Sequence, residues 1–90
     1  MMIKHTPGRL YAVVDGGEAE LLYKILDGEK AISIYHTFTP EESRGRGVAE
    51  RLALEAFKQA REKGMKVRPD CPYILHFLKK HAELRDMAIR

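Results

Sequence analysis

Arg44, Gly45, Arg46 and Gly47 stand together in "EESRGRGVAERL", directly ahead of a helix-periodic apolar pattern. The first turn of a helix leaves backbone N–H groups without intrahelical partners, and the macrodipole adds partial positive charge there. Glycine admits backbone conformations closed to other residues and removes the Cβ that would hold an anion off. Arginines beside it can add charge-assisted hydrogen bonds. These residue types in this order suit a pyrophosphate. The spacing fits neither the P-loop G-x-x-x-x-G-K-S/T nor the dinucleotide G-x-G-x-x-G. A glycine-softened strand-to-helix connection with solvent-facing arginines accounts for the same pattern.

A second reactive type is the lone cysteine in "RPDCPY". Pro72 suits the first position of a helix, which makes Cys71 the expected N-cap. Orphan N–H groups and the helix dipole would favour its thiolate, with Arg68 close in sequence, and a thiolate is a nucleophile. A small buried residue is the other use of such a cysteine. His36 alternates with Ile32, Ile34 and Phe38, so it reads either as a hydrogen-bonded core histidine or as a general base. His5, His76 and His81 lack metal-ligand spacing, and no Cys/His/Asp cluster suggests a metal site. His76, Lys79 and Lys80 share the chain's last helical stretch, where they serve an anion's far end or simply a solvated face.

The elements that must position these residues follow from periodicity. "LYAVVD", "EAELLYKIL" and "AISIYHTFT" are strand-like runs separated by "GG" at Gly16–Gly17 and "DGE" at Asp27–Glu29, the pattern of an antiparallel meander. After Pro40 the period changes. Ala49, Leu52, Ala53, Ala56, Phe57 and Ala60 fall on one face of a helix that Gly64 should stop. "MKVRPD" is a short strand, "PYILHFLKKH" a second helix with Ile74, Phe77 and Leu78 inward, and "AELRDMAIR" a helical tail. The expected fold is α+β in the order βββαβα, one domain over 1–90, with both helices covering the sheet.

Composition bounds the rest. The chain has 90 residues, 44% hydrophobic and 32% charged, as expected of one soluble globular domain with a single small core. No segment has signal-peptide or membrane-span length, and one cysteine forms no internal disulfide, so the expected compartment is the cytoplasm. The net charge is +3, yet 44–68 alone carries eight Lys or Arg against three Glu. That local field suits an anionic ligand or cofactor, or else a helix face where Glu50, Glu55 and Glu62 pair with the cations. Nucleic acid is a poorer match, since no aromatic stacking motif or recognition-helix signature accompanies the charge.

Arg44-Gly45-Arg46-Gly47-Val48-Ala49 resembles the R/Q-x-x-G-x-G/A acetyl-coenzyme A motif of the GNAT acetyltransferases, in the same strand–loop–helix setting. The chain is more similar still to one small GNAT-related group, the minimal single-domain acetyltransferase-like proteins. In these a segment like "HTFTPEESRGRGVAERL" precedes a "VxPxCxY" segment and a terminal helix; here the second segment is "VRPDCPYILHFLKKHAEL". The resemblance covers nearly the whole chain from the first strand onward. It implies a GNAT core reduced to its cofactor-binding half, without the N-terminal helices that help wall the acceptor site in larger members.

That resemblance carries specific roles. It implies that backbone N–H groups from Gly45 through Val48 to Ala49 hold the pyrophosphate of acetyl-coenzyme A, helped by Arg44 and Arg46. It implies that Thr37, Phe38 and Thr39 hydrogen-bond pantetheine along a strand edge exposed where two strands splay; plain sheet pairing is the other fate of that edge. It puts Cys71 beside the acetyl group, able to accept it from the thioester. It likens Tyr73 to the tyrosine that protonates the leaving thiolate, although an aromatic packed on the sheet fits equally well. His36 would take the acceptor's ammonium proton. The implied activity is N-acetyl transfer to an unidentified amine, either directly or through Cys71. A non-catalytic coenzyme A-binding or acyl-sensing module is the alternative.

Overall fold

A computed structural model describes residues 1–89. Its strands are β1 (Lys4–Thr6), β2 (Arg9–Val14), β3 (Gly17–Leu26), β4 (Ala31–Phe38) and β5 (Lys66–Pro69), and its helices are α1 (Val48–Glu62) and α2 (Pro72–Lys80). Single 3₁₀ segments at Glu41–Ser43 and Ala82–Met87 complete the chain. The strands lie in the order β1-β2-β3-β4-β5, antiparallel except for the parallel β4–β5 pair. The expected α+β class and meander are present, with one strand more than the sequence pattern announces. β1 pairs Lys4 with Tyr11 and Thr6 with Arg9, yet all of its residues are exposed. Having no inward side chain, it leaves no periodic trace.

The turns form where the glycines stand. Val14 pairs with Gly17, so Asp15 and Gly16 make a tight hairpin turn, with Gly16 in the left-handed region at φ 90°. Between Leu26 and Ala31 the longer turn Asp27–Lys30 does the same work. α1 buries Val48, Leu52, Ala53, Ala56, Phe57 and Ala60, so its inner face begins at Val48 rather than at the expected Ala49. The alanines let the helix lie close to the sheet, and the helix stops at Gly64 in a left-handed conformation, as expected. Phe57 meets Phe77 with ring centroids 5.4 Å apart, which joins α1 and α2 into one core over Leu10, Leu21, Ile32 and Ile34. The tail expected to be helical is the 3₁₀ segment, after which Ala88 bridges back to Val67. No helix among the described residues is long and apolar enough to cross a membrane.

One irregularity decides where β4 points its side chains. Leu22 pairs with His36 but Tyr23 pairs with Ile34, so Tyr35 is an extra residue and the register shifts. A one-residue insertion exchanges the two faces beyond it. Thr37, opposite the fully buried Leu21, therefore joins the core side, and His36 leaves it.

Candidate functional site

β4 and β5 run together only from Ala31–Lys66 to Ile34–Pro69. Pro69 has no N–H to extend the ladder, and the Asp70 N–H closes it on the Ile34 carbonyl at 3.0 Å. The chain then turns at Cys71 into α2, while β4 continues to Phe38 without a neighbouring strand on that side among the described residues. Ser33 fixes the parting point by donating to the Asp70 carboxylate, which also accepts from Arg68 at 2.7 Å. These two donors hold the Asp70 carboxyl below its ordinary range, Ser33 contributing most.

A cavity of about 530 Å³ occupies this opening. Its floor is the free end of β4, with Thr37, Phe38 and Thr39; its near wall is the loop and first turn of α1, with Ser43, Arg44, Gly45, Gly47, Val48, Ala49 and Glu50. Tyr73, His76, Phe77 and Lys80 of α2 form the far wall. Gly45 (φ 80°) and Gly47 (φ 77°) are both left-handed, and a Cβ on either would meet no protein atom within 4 Å. The glycines thus serve backbone conformation and face open space. Gly47 is the N-cap of α1 and offers no side chain to it; the first intrahelical bond is Arg51 N–H to the Gly47 carbonyl, at 3.1 Å. The N–H groups of Val48, Ala49 and Glu50 have no acceptor within the helix, at a cavity wall.

The loop that presents them is braced from the β2–β3 turn. Ser43, 2% exposed, donates to the Asp15 carbonyl at 2.8 Å, and Arg46 reaches the Asp15 carboxylate at 2.8 Å. The Glu42 carboxylate covers Gly16 so closely that a Cβ there would lie 2.5 Å from it. Arg46 is therefore part of the brace, and it is not among the described residues that line the cavity. Arg44 does line the cavity, with its Nε–H held by the Thr39 carbonyl at 3.1 Å.

The expected chemical residues separate. Tyr73 lines the cavity and also packs on the core. Burial, then the nearby Glu50 and Cys71, raise its phenol above the ordinary tyrosine range. Cys71 is the N-cap of α2, as expected, but its Sγ makes no capping bond. The thiol is 6% exposed within the core cluster, 3.6 Å from the Thr37 hydroxyl, and does not line the cavity. His36 is not a core histidine: the Tyr35 insertion turns it outward, where its half-exposed ring lies 3.5 Å from the Glu20 carboxylate. Glu50 escaped the sequence reading, which treated it as a helix-face partner for cations. It lines the cavity and bonds His81 across the helices at 2.8 Å. Its position in the first turn of α1 was the available signal.

Comparisons with known proteins fit this geometry. A family model described as "GCN5-related N-acetyl-transferase" matches residues 9–87. The chain belongs to this family. It is 38% identical over 64 residues to Protein NATD1 of Danio rerio and 36% identical over 63 residues to Protein NATD1 of Xenopus tropicalis. These matches take in 71% and 70% of this chain, and 57% of either relative, so the chain spans little more than half the length of the curated relatives it matches. The solution structure of a GCN5-like protein from Staphylococcus aureus superimposes with a TM-score of 0.79 at 29% identity, over 98% of this chain and 87% of that one. The small GNAT-like architecture implied by the sequence resemblance is thus the architecture of the chain.

Proposed function

We propose that the chain binds acetyl-coenzyme A in the opening between β4 and β5 and transfers the acetyl group to an amine. The observation that carries this reading is the conjunction of two unsatisfied backbone surfaces on one cavity: the orphan N–H groups of Val48, Ala49 and Glu50, and the unpaired edge of β4. The first suits a pyrophosphate, with Arg44 adding charge. The second suits the amides of pantetheine, which would pair with Thr37 to Thr39 as a neighbouring strand would. When bound, acetyl-coenzyme A supplies an acyl thioester, whose carbonyl carbon is the electrophile. Edge N–H groups of β4 would donate to its carbonyl oxygen as charge develops there.

Of the two routes, direct attack by the amine is the better supported. Tyr73 borders the cavity, and its phenol is protonated at neutral pH, as a proton donor to the leaving thiolate must be. Transfer through Cys71 would require a thiol that is 6% exposed to reach the acyl group past Thr37. His36 would serve as base only from the outer face of the sheet, beside Glu20. A non-catalytic coenzyme A-binding module is the second reading, favoured by the fact that Tyr73 alone of the three candidates borders the cavity. Calorimetric titration with coenzyme A tests the site, and release of free thiol from acetyl-coenzyme A with and without amines tests transfer. Binding without amine-dependent release supports the module; absence of binding refutes both. The amine remains to be found by such a screen, and the single cysteine accords with a reducing compartment such as the cytoplasm.

A further inference from the structure

An acid on the wall of a site for an anionic cofactor calls for an explanation. Glu50 is the one carboxylate among the described residues that line the cavity, which otherwise offers Arg44, His76 and Lys80. Its Oε2 lies 2.8 Å from Nε2 of His81, and Nδ1 of the same ring lies 3.4 Å from Glu83. The ring is stacked on Phe77, with centroids 4.3 Å apart, and Phe77 also lines the cavity. His81 caps the C-terminal end of α2, so its bond to Glu50 ties the end of one flanking helix to the first turn of the other. We infer that His81 is a positioning residue of the cofactor site, which holds and neutralises Glu50 so that an anion can occupy the start of α1. The inference rests on the coenzyme A reading above.

The charge arithmetic gives it consequences. With His81 protonated, the pair is neutral and the orphan N–H groups, Arg44 and Lys80 set the potential at the wall. With His81 neutral, Glu50 contributes a full negative charge beside the phosphates. The groups around His81 are Glu50 from α1, Glu83 from the following 3₁₀ segment, Lys80 and His76 on α2, and Arg85, which donates to the Leu78 and Lys79 carbonyls. Glu50 first, and after it Glu83, hold the imidazolium above the ordinary histidine range against the opposing effect of burial. Neutralisation is therefore complete below the ordinary histidine pKa and is lost as pH rises through the raised value.

The test is the affinity for coenzyme A, by calorimetry, at about pH 6, below the ordinary histidine pKa of about 6.5, and at about pH 8.5, well above it. The quantity read is the ratio of dissociation constants between parent and variant, in which the titration of the ligand and of groups common to both proteins cancels. Glu50→Gln carries one negative charge fewer than the parent at either pH, so it should bind about three- to tenfold more tightly than the parent at both. His81→Gln should bind about three- to tenfold more weakly than the parent at the lower pH and converge with it at the higher. His81→Lys should keep the parent's low-pH advantage at both, and it carries the test if a neutral variant fails to fold. Ratios for His81→Gln and His81→Lys that do not change with pH, in proteins that bind coenzyme A, overturn the role of His81 and leave the cofactor site standing. No binding at either pH overturns the cofactor reading and this inference with it.

Discussion

The two helix starts that face the cavity are built in opposite ways. α1 begins at Gly47, a left-handed cap with no side chain, and the residues that carry its first N–H groups line the cavity. α2 begins at Cys71, an extended cap, and its first helical residue is Pro72, which has no N–H to offer. The Ile74 N–H already bonds the Cys71 carbonyl, so the second start offers chiefly side chains: a buried thiol under Thr37 and a phenol at the cavity edge. The difference teaches a division of labour. The backbone at α1 is suited to hold an anion, and the side chains at α2 are suited to move a proton. A change at one start should therefore alter binding and leave chemistry, and a change at the other should do the reverse.

The largest expected effect lies at α2. Tyr73→Phe should lower turnover by about 10²–10⁴-fold, the usual scale for losing a general acid, with coenzyme A affinity nearly unchanged. Cys71→Ala should keep affinity and most of the turnover. Steady-state kinetics beside calorimetry separate the two outcomes. Turnover lost in Cys71→Ala, together with an acetylated Cys71 in the parent by mass spectrometry, would bring back transfer through the thiol and erase the proposed asymmetry.

At α1 the order reverses. Gly47→Val forces a β-branched residue into the left-handed region, at a cost of at least about 1–2 kcal/mol in stability. A valine also raises a wall over the orphan N–H groups, since the space it would fill is empty of protein. Affinity for coenzyme A should fall at least about tenfold, by a weakening of about 1.4 kcal/mol or more. Urea unfolding gives the first quantity and calorimetry the second. A folded Gly47→Val protein with parental affinity would leave the cradle without support.

The neighbouring arginines refine the same point, because the sequence makes them look alike. Arg44→Ala should weaken coenzyme A binding by about 1–3 kcal/mol, the range for a charge-assisted hydrogen bond, and the effect should shrink with salt. Arg46→Ala should cost less in affinity, since its guanidinium is engaged by Asp15 and acts through the brace. Equal losses in the two variants, measured at low salt, would mean that Arg46 leaves Asp15 for the ligand.

What the sequence disclosed follows the range of the forces involved. Helix faces, turns and the glycine start of α1 depend on residues a few positions apart, and these were legible. The bulge at Tyr35 was not, because strict alternation is all that periodicity can report, and a single inserted residue moved His36 from one face to the other. The partners of Arg46 and Glu50 were hidden for a related reason. Asp15 and His81 lie 31 residues away in either case, and only the fold brings them together. β1 was silent because exposed strands carry no apolar pattern.

The smallest expected effect concerns the point where β4 and β5 part, on which both helix starts depend. Ser33 is 1% exposed and spends its hydroxyl on the Asp70 carboxylate, one residue before the cap of α2. Ser33→Ala removes that bond but leaves a carboxylate exposed enough to regain water, so the loss should be about 1 kcal/mol. The acid side gives an independent reading. Because the folded carboxyl is held below its unfolded value, its contribution is full above the unfolded pKa of about 3.9 and is lost as pH falls through the lower folded value. Urea unfolding of the parent between neutral pH and about pH 3 should thus lose stability that Asp70→Asn, already lacking it, does not lose again. Affinity for coenzyme A at neutral pH should drop only slightly in either variant, since α1 keeps its N–H groups. If Ser33→Ala instead abolished binding, the splay itself would be held by this one hydroxyl, and the two helix starts would be parts of one device.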